Sequence, residues 1–98
     1  GYALGEKMVY VNGELKNGNF LDYKIPTAKD VPPMQAVIVE TDEKDGPFGA
    51  KGIGEPGLVP TAPAIANAIY DAVGVRIKDL PITPEKVLKA LKGKEKIG

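Results

Sequence analysis

Residues 46–57 read Gly-Pro-Phe-Gly-Ala-Lys-Gly-Ile-Gly-Glu-Pro-Gly, a glycine-rich segment between β-prone runs on its N-terminal side and helical patterns on its C-terminal side. Glycine has no Cβ, so its backbone can approach a ligand closely. A single carboxylate beside such a loop, Glu55, is suited to accept a proton from a bound cofactor or substrate. Glu55 is therefore our first candidate catalytic residue, although an acid between glycine and proline is more often a solvated loop residue.

The residues that follow this segment predict a helix. Thr61 is predicted to be its N-cap, since a threonine hydroxyl can accept a hydrogen bond from a free amide of the first turn. Ile65, Ile69 and Val73 recur at helical spacing and form one apolar face. Gly74 is predicted to end the helix, because glycine readily adopts the left-handed conformation found at helix C-termini.

A strand and a second helix are predicted after Gly74. Residues 75–80 alternate between apolar and polar side chains, which is typical of a strand. Thr83 is predicted to cap the second helix, with Pro84 in its first turn, where the missing amide is tolerated. We expect Gly93 to end this helix and residues 94–98 to fray.

The N-terminal half predicts strands joined by turns and one long loop. Residues 8–11 are β-prone and precede Asn12-Gly13, a strong signal for a tight hairpin turn, after which Leu15 begins a short return strand. Residues 20–33 contain three prolines and show no periodicity, which predicts an extended loop. Residues 35–41 have an uninterrupted apolar centre, which predicts a buried strand. The predicted fold class is therefore α/β or α+β, with a small mixed sheet, a long proline-rich loop and two C-terminal helices.

Composition limits the functions that this chain can perform. Its 98 residues predict one domain, residues 1–98, and its 13 basic and 13 acidic residues leave no basic field for nucleic acid. The chain has no cysteine and no histidine, which excludes thiolate metal sites and leaves Asp, Glu, Lys or Tyr for proton transfer. No apolar run is long enough to span a membrane and no signal-peptide pattern is present, so we expect a cytoplasmic protein.

Gly52, Gly54 and Gly57 match the spacing of the dinucleotide-binding pattern, G-x-G-x-x-G. That pattern requires the glycines to connect a strand directly to a helix. Here a charged turn, residues 42–46, separates the glycines from the predicted strand, and prolines follow Gly54. The context therefore argues against a dinucleotide site.

Four segments occur in a recognisable order along the chain: 19–28 (NFLDYKIPTA), 46–56 (GPFGAKGIGEP), 60–69 (PTAPAIANAI) and 80–88 (LPITPEKVL). Together they resemble the C-terminal end of the large, molybdopterin-binding subunit of the xanthine dehydrogenase and aldehyde oxidase family. The resemblance covers nearly the whole chain. It implies that this chain is the C-terminal portion of a larger molybdopterin-binding domain.

The resemblance also implies a site and a chemistry. In the family, the glutamate at the position of Glu55 is the base that takes a proton from a hydroxyl ligand of molybdenum(VI). The oxyanion then attacks an electron-poor carbon, and a hydride passes to a sulfido ligand. Gly52 and Gly54 would let the chain pass close to the molybdenum–molybdopterin cofactor, and no residue of this chain is expected to bind the metal itself. Iron–sulfur clusters and FAD on other chains or domains would carry the electrons away.

The partners implied by the resemblance are the remainder of the large subunit, the iron–sulfur and FAD subunits, and a small substrate such as an aldehyde, a purine or an N-heterocycle. Neither nucleic acid nor a membrane is expected as a partner. The isolated chain is expected to be inactive, because one loop cannot enclose a large cofactor. The alternative is a non-catalytic remnant or interaction module that docks onto a larger subunit.

Other polar residues in the matching segments favour structural roles. Asp22, Tyr23 and Lys24 are predicted to anchor the long loop by hydrogen bonds rather than to take part in chemistry. Lys51 is predicted to pair with an acid or to lie in solvent. Tyr70 and Asp71, on the first helix, are predicted to serve packing and surface roles.

Overall fold

A computed structural model describes residues 1–95 of the chain. It contains both strands and helices, which confirms the predicted mixed class. The elements in chain order are strand β1 (Tyr10–Val11), strand β2 (Glu14–Leu15), a 3-10 turn (Pro47–Gly49), a second 3-10 turn (Glu55–Leu58), helix α1 (Thr61–Val73) and helix α2 (Pro84–Glu95). Neither helix combines the length and apolar character needed to cross a bilayer.

The two strands form an antiparallel hairpin at the predicted position. Tyr10 pairs with Leu15 across the ladder. Asn12 (φ 50°) and Gly13 (φ 80°) both adopt the left-handed conformation that a tight two-residue hairpin turn requires. Asn17 closes the open end, because its side chain accepts a 2.8 Å bond from the amide of Val9 and donates a 2.7 Å bond to the carbonyl of Lys7. Local turn chemistry thus accounts for this element.

The strands predicted at residues 35–41 and 75–80 do not form. The sheet within residues 1–95 consists of the hairpin alone, and the segment 35–41, expected to be buried, is exposed throughout. A strand is stable only where neighbouring strands satisfy its backbone amides and carbonyls, and neither segment pairs with the hairpin within residues 1–95. The sequences of both segments favour an extended backbone, but neither segment pairs with a strand within residues 1–95.

Helix α1 begins and ends close to the predicted positions, with one correction at its start. Thr61 is the first helical residue rather than the N-cap, because Pro60 at the N-cap already has near-helical angles (φ −82°, ψ −7°). The Pro60 carbonyl accepts the first intrahelical bond, from the amide of Ala64 at 2.9 Å. Gly74 ends the helix as predicted, with φ 69° and a 2.7 Å bond from its amide to the carbonyl of Tyr70.

Helix α2 is capped as predicted but extends beyond its predicted end. The Thr83 hydroxyl accepts a 3.4 Å hydrogen bond from the amide of Lys86. The helix continues through Gly93 to Glu95, because a glycine in a helix costs only about 0.5–1 kcal/mol relative to alanine. Lys94 also donates a 3.3 Å bond to the carbonyl of Gly74, which connects the end of α2 to the end of α1. Of the residues expected to fray, 94 and 95 are helical, and 96–98 lie outside the described residues.

A small core lies where the N-terminus meets the two helices. Ala3, Ala62, Val75 and Ile82 are its buried apolar residues, and the amide of Ile82 donates a 2.7 Å bond to the carbonyl of Ala3. The radius of gyration is 18.4 Å, against about 13 Å for a compact chain of this length. Most large apolar side chains are therefore exposed rather than enclosed by this chain.

Candidate functional site

Glu55, within the glycine segment, is the first residue of the second 3-10 turn, which precedes helix α1. Pro56 follows it in the first turn, where a missing amide is tolerated, and the amide of Val59 closes the turn with a 3.2 Å bond to the carbonyl of Pro56. The turn contacts α1 and is also held from the N-terminus, because the Tyr2 hydroxyl donates a 2.9 Å bond to the carbonyl of Leu58. The candidate base therefore begins a turn that is connected to two other parts of the chain.

The carboxylate of Glu55 is exposed. The hydrogen bonds and ion pairs found within residues 1–95 do not involve it. Other acids of the chain are engaged: Glu43 pairs with Lys51 at 3.9 Å, and Glu6 accepts a 3.1 Å bond from the Tyr23 hydroxyl. Within the described residues, the Glu55 oxygens are therefore free to meet a group from outside this part of the chain.

Two glycines of the segment are required by the fold of the chain itself. Residues 42–50 form a tight turn in which the amide of Glu43 donates a 3.1 Å bond to the carbonyl of Gly49. Gly49 has a φ of 78°, which L side chains rarely adopt. A Cβ added at Gly46 would overlap the carbonyl oxygen of Ala50. Alanine at Gly46 or Gly49 would therefore disturb this turn.

The other three glycines of the segment have no such requirement. A Cβ at Gly52 or Gly57 would meet nothing within 4 Å, and one at Gly54 would lie 3.7 Å from Pro56 Cδ, an ordinary contact. None of them has a left-handed φ, and Gly54 is extended with φ −175°. Their backbone presents open space next to Glu55. This space fits the close approach of an external group, such as a cofactor.

A concavity of about 700 Å³ lies beside this segment, between residues 39–42 and 48–53. Gly52 lines it, whereas Gly54 and Glu55 do not, so the structure does not place the three predicted site residues in one cavity. Lys51 lines it too and lies 3.9 Å from the Glu43 carboxylate with its side chain 54% exposed, so of the two predicted alternatives it combines an acidic partner with contact to solvent.

Phe48 is a feature of the concavity that the sequence interpretation missed. Its ring is fully exposed and its backbone has a left-handed φ of 55°, an unusual conformation for a bulky residue. In the sequence, the signal for a turn at Phe48 was the glycine that follows it. In the structure, Gly49 also has a positive φ. Phe48 presents an apolar surface along one wall of the concavity.

The loop 19–30 is anchored by side chains, as predicted for Asp22 and Tyr23. Asn19 accepts bonds of 2.9 and 3.0 Å from the amides of Leu21 and Asp22, and its side-chain amide donates to the Asp22 carboxylate at 3.0 Å. Desolvation and the bond to Glu6 raise the pKa of Tyr23. For Lys24, no side-chain hydrogen bond occurs within residues 1–95, so its predicted anchoring role is not realised there.

Thr27 and Asp30 close the same loop further along. The Asp30 carboxylate accepts the Thr27 amide at 2.7 Å and the Thr27 hydroxyl at 2.8 Å. Both bonds hold the pKa of the Asp30 carboxyl below its usual value, and the bond from the Thr27 amide contributes more than the bond from its hydroxyl. The loop is thus ordered by local polar contacts and lies apart from Glu55 in sequence.

Tyr70 on helix α1 contacts a charged side chain from the following segment. The guanidinium of Arg76 lies 4.0 Å from the Tyr70 ring centroid and donates a 2.6 Å bond to the Asn67 side chain. These contacts give Tyr70 the packing role that its position predicts. No group of three or more acidic, histidine or cysteine side chains suited to hold a metal ion occurs within residues 1–95.

Comparison with known proteins gives a consistent result. The family model for the molybdopterin cofactor-binding domain matches residues 1–32. The xanthine dehydrogenase molybdenum-binding subunit of Escherichia coli O157:H7 is 43% identical over 89 residues, which cover 89% of this chain and 12% of that protein. The nicotine 6-hydroxylase large subunit of Paenarthrobacter nicotinovorans is 41% identical over 97 residues, or 95% of this chain and 12% of that protein.

A third relative, the aldehyde oxidoreductase molybdenum-binding subunit of Escherichia coli strain K12, is 38% identical over 94 residues, or 93% of this chain and 13% of that protein. The chain thus spans only 12–13% of the length of these relatives. The aligned region nevertheless covers 89–95% of this chain. By sequence, the chain belongs to the family of molybdenum-binding subunits of xanthine dehydrogenases and related oxidoreductases.

Proposed function

We propose that this chain is the C-terminal portion of the large subunit of a molybdenum hydroxylase, and that Glu55 is its catalytic base. One observation supports the role of Glu55 most directly. The Glu55 carboxylate is exposed and has no partner within residues 1–95. The residue itself begins a turn that contacts helix α1 and accepts a hydrogen bond from Tyr2. A positioned carboxylate without competing partners can accept a proton.

The cofactor proposed for this site is molybdenum–molybdopterin, present in the complete enzyme. The open backbone at Gly52 and Gly54 fits the approach of such a group, since no side chain of either residue stands between the chain and the cofactor. When bound, the cofactor supplies the oxidising centre and the hydroxyl group that is added to the substrate. The protein contributes a close-fitting backbone and a placed base.

With the cofactor bound, Glu55 would accept a proton from that hydroxyl at one of its carboxylate oxygens. Pro56 follows Glu55 directly in the turn and restricts the backbone from which the side chain extends. Proton transfer requires heavy atoms to be about 2.6–3.2 Å apart. An aspartate is one methylene shorter, so its carboxylate would extend less far from the same turn.

The partners proposed are the rest of the large subunit, together with iron–sulfur and FAD components that carry electrons away from the cofactor. Several relatives are named as subunits, including one subunit of a 6-hydroxypseudooxynicotine dehydrogenase complex. The substrate is proposed to be an aldehyde, a purine or an N-heterocycle. The names of three relatives, an aldehyde oxidoreductase, a xanthine dehydrogenase and a nicotine 6-hydroxylase, support these three classes. The chain by itself is proposed to be inactive, since Glu55 is open to water.

The test compares two substitutions in the complete enzyme that contains this segment. Glu55→Gln keeps the shape of the side chain and removes the base, whereas Glu43→Gln changes another acid of the same region that pairs with Lys51. A general base contributes typically about 10²–10⁴-fold, so Glu55→Gln should lower kcat by at least about 100-fold at unchanged molybdenum content. The control should keep turnover within about twofold. Full turnover of Glu55→Gln would refute the assignment.

The alternative, a docking module without catalysis, is favoured by a separate observation. Large apolar side chains along residues 20–39 are exposed, as expected for a surface that another polypeptide covers. The same substitution distinguishes the two functions. A docking module would retain complex formation and show no dependence of turnover on Glu55.

A further inference from the structure

The segment 35–41, Gln-Ala-Val-Ile-Val-Glu-Thr, has a strand-like sequence and an unpaired backbone. It belongs to no helix or strand, and the backbone hydrogen bonds within residues 1–95 do not include its amides or carbonyls. Side-chain hydrogen bonds to these groups are also absent from the described part of the chain. Both edges of this segment are therefore available for pairing.

Its side chains are apolar on both faces. Val37, Ile38 and Val39 are 77%, 88% and 79% exposed. In an extended chain, successive side chains point to opposite faces, so Ile38 lies on one face and its two neighbours lie on the other. β-branched side chains on both faces are typical of an interior strand covered by other elements on each side. A strand at the edge of a sheet would carry polar or charged residues instead.

The residues around the segment set its length. Pro32 and Pro33 precede it and cannot donate to a ladder, and the charged turn 42–46 follows it. Between them lie eight residues, 34–41, whose amides make no backbone hydrogen bond within residues 1–95, and this length is within the usual range for a strand. The segment leads through the turn 42–50 to Gly52 and Glu55, so its pairing would also fix where the site segment begins.

We infer that residues 35–41 are an interior strand of a β-sheet whose two neighbouring strands, one along each edge, come from the rest of the molybdenum-binding subunit. This inference rests on the proposed function for the existence of that larger subunit, but not on the role of Glu55. The relatives supply the length for such strands, since this chain spans 12% of them. A second copy of the chain, paired about a two-fold axis, would cover one edge only.

Hydrogen–deuterium exchange resolved to single amides tests the inference. It is measured for residues 35–41 in the complete subunit and in the 98-residue chain. Pairing along both edges should slow every amide of the segment by at least about 100-fold in the complete subunit, because neighbouring amides point to opposite edges. The isolated chain should show fast exchange at these positions.

Three results would overturn the inference. The first is fast exchange of the segment in the complete subunit. The second is protection of alternate amides only, which would mean pairing along a single edge. The third is protection in the isolated chain that rises with its concentration, which would make a second copy the partner.

Two proline variants of the complete subunit provide a further readout. Ile38→Pro removes one ladder amide within the segment, whereas Lys44→Pro places proline at the second position of the turn 43–46, where proline is favoured. Ile38→Pro should abolish protection of its neighbours or prevent assembly, and Lys44→Pro should leave both unchanged. If Ile38→Pro assembles with unchanged protection, the inference fails.

The outcomes for the strand and for the base can be separated. Glu55→Gln should leave the protection of residues 35–41 unchanged while removing turnover. An active Glu55→Gln enzyme with a protected segment would refute only the catalytic assignment. A Glu55-dependent enzyme with an unprotected segment would refute only the interior strand.

Discussion

The hydroxyl of Tyr2 donates a 2.9 Å hydrogen bond to the main-chain carbonyl of Leu58, a residue 56 positions away in the sequence. This bond connects the N-terminus to the turn that begins with Glu55. It is one of few long-range polar contacts that restrain the candidate site within residues 1–95, and it gives Tyr2 a positioning role that can be tested.

Removing this bond should misplace Glu55 without affecting cofactor binding. Tyr2→Phe deletes the donor and costs about 0.5–1.5 kcal/mol of local stability. In the complete enzyme, kcat should fall several-fold, while KM and molybdenum content stay unchanged. Tyr10→Phe is the matched control, because the hydroxyl of Tyr10 contacts only the Met8 sulfur, at 3.7 Å, within the described residues. Equal kcat values for the two variants would show that Tyr2 does not position the base.

The glycines of the segment should separate into two groups on substitution by alanine. Gly49→Ala places a side chain at φ 78° and should lower the free energy of unfolding of the cofactor-free subunit by about 1–2 kcal/mol. Gly52→Ala meets no atom of this chain and should leave that stability within about 0.5 kcal/mol. If a cofactor approaches Gly52, however, the added methyl should lower molybdenum content. Normal molybdenum in Gly52→Ala would contradict the proposed approach.

The attachment of helix α2 should weaken in acid. Lys86 pairs with Asp79, and this partner lowers the pKa of the Asp79 carboxyl in the folded chain. The pair therefore stabilises the fold above the unfolded pKa of about 4, and the contribution is lost as pH falls through the lowered folded value. Asp79→Asn should reduce the loss of helical circular dichroism below pH 4, relative to the Asp71→Asn control. Identical acid transitions in both variants would exclude a role for this pair.

The 98-residue chain alone should bind no molybdopterin tightly. The glycine segment and Glu55 lie at an exposed surface, and a site of this kind cannot exclude water from a large cofactor. Molybdenum measured by mass spectrometry after reconstitution should be far below one atom per chain, whereas the complete subunit should approach one. Stoichiometric metal in the isolated chain would refute this expectation.

Helices α1 and α2 and the hairpin could be predicted from short stretches of sequence. Asn12-Gly13 specifies a tight turn, and Gly74 supplies a left-handed helix end, regardless of what lies elsewhere. The errors at the helix ends have local causes too. Pro60 takes the capping position from Thr61, and the cost of Gly93 is too small to stop α2.

Pairing of residues 35–41 could not be predicted in the same way. The β-branched run describes a preference for extended backbone, but a strand forms only where another strand pairs with it, and within residues 1–95 this segment pairs with neither strand of the hairpin. The same distinction applies to the site. Residue types alone made Glu55 a candidate for proton transfer, and its specific role as the base was implied by the resemblance to the family.

Which glycines the chain itself requires, and what holds Glu55 in place, depended on contacts between distant residues. Gly49 must be glycine because of its positive φ beside Asp42, whereas Gly52 and Gly54 border empty space. Tyr2 reaches Leu58, and the amide of Ile82 reaches the carbonyl of Ala3. Turns and helices follow from neighbours in sequence because their hydrogen bonds are local. The open backbone at the site and the unpaired strand emerge only once the folded chain shows which groups it satisfies itself and which it leaves for a partner.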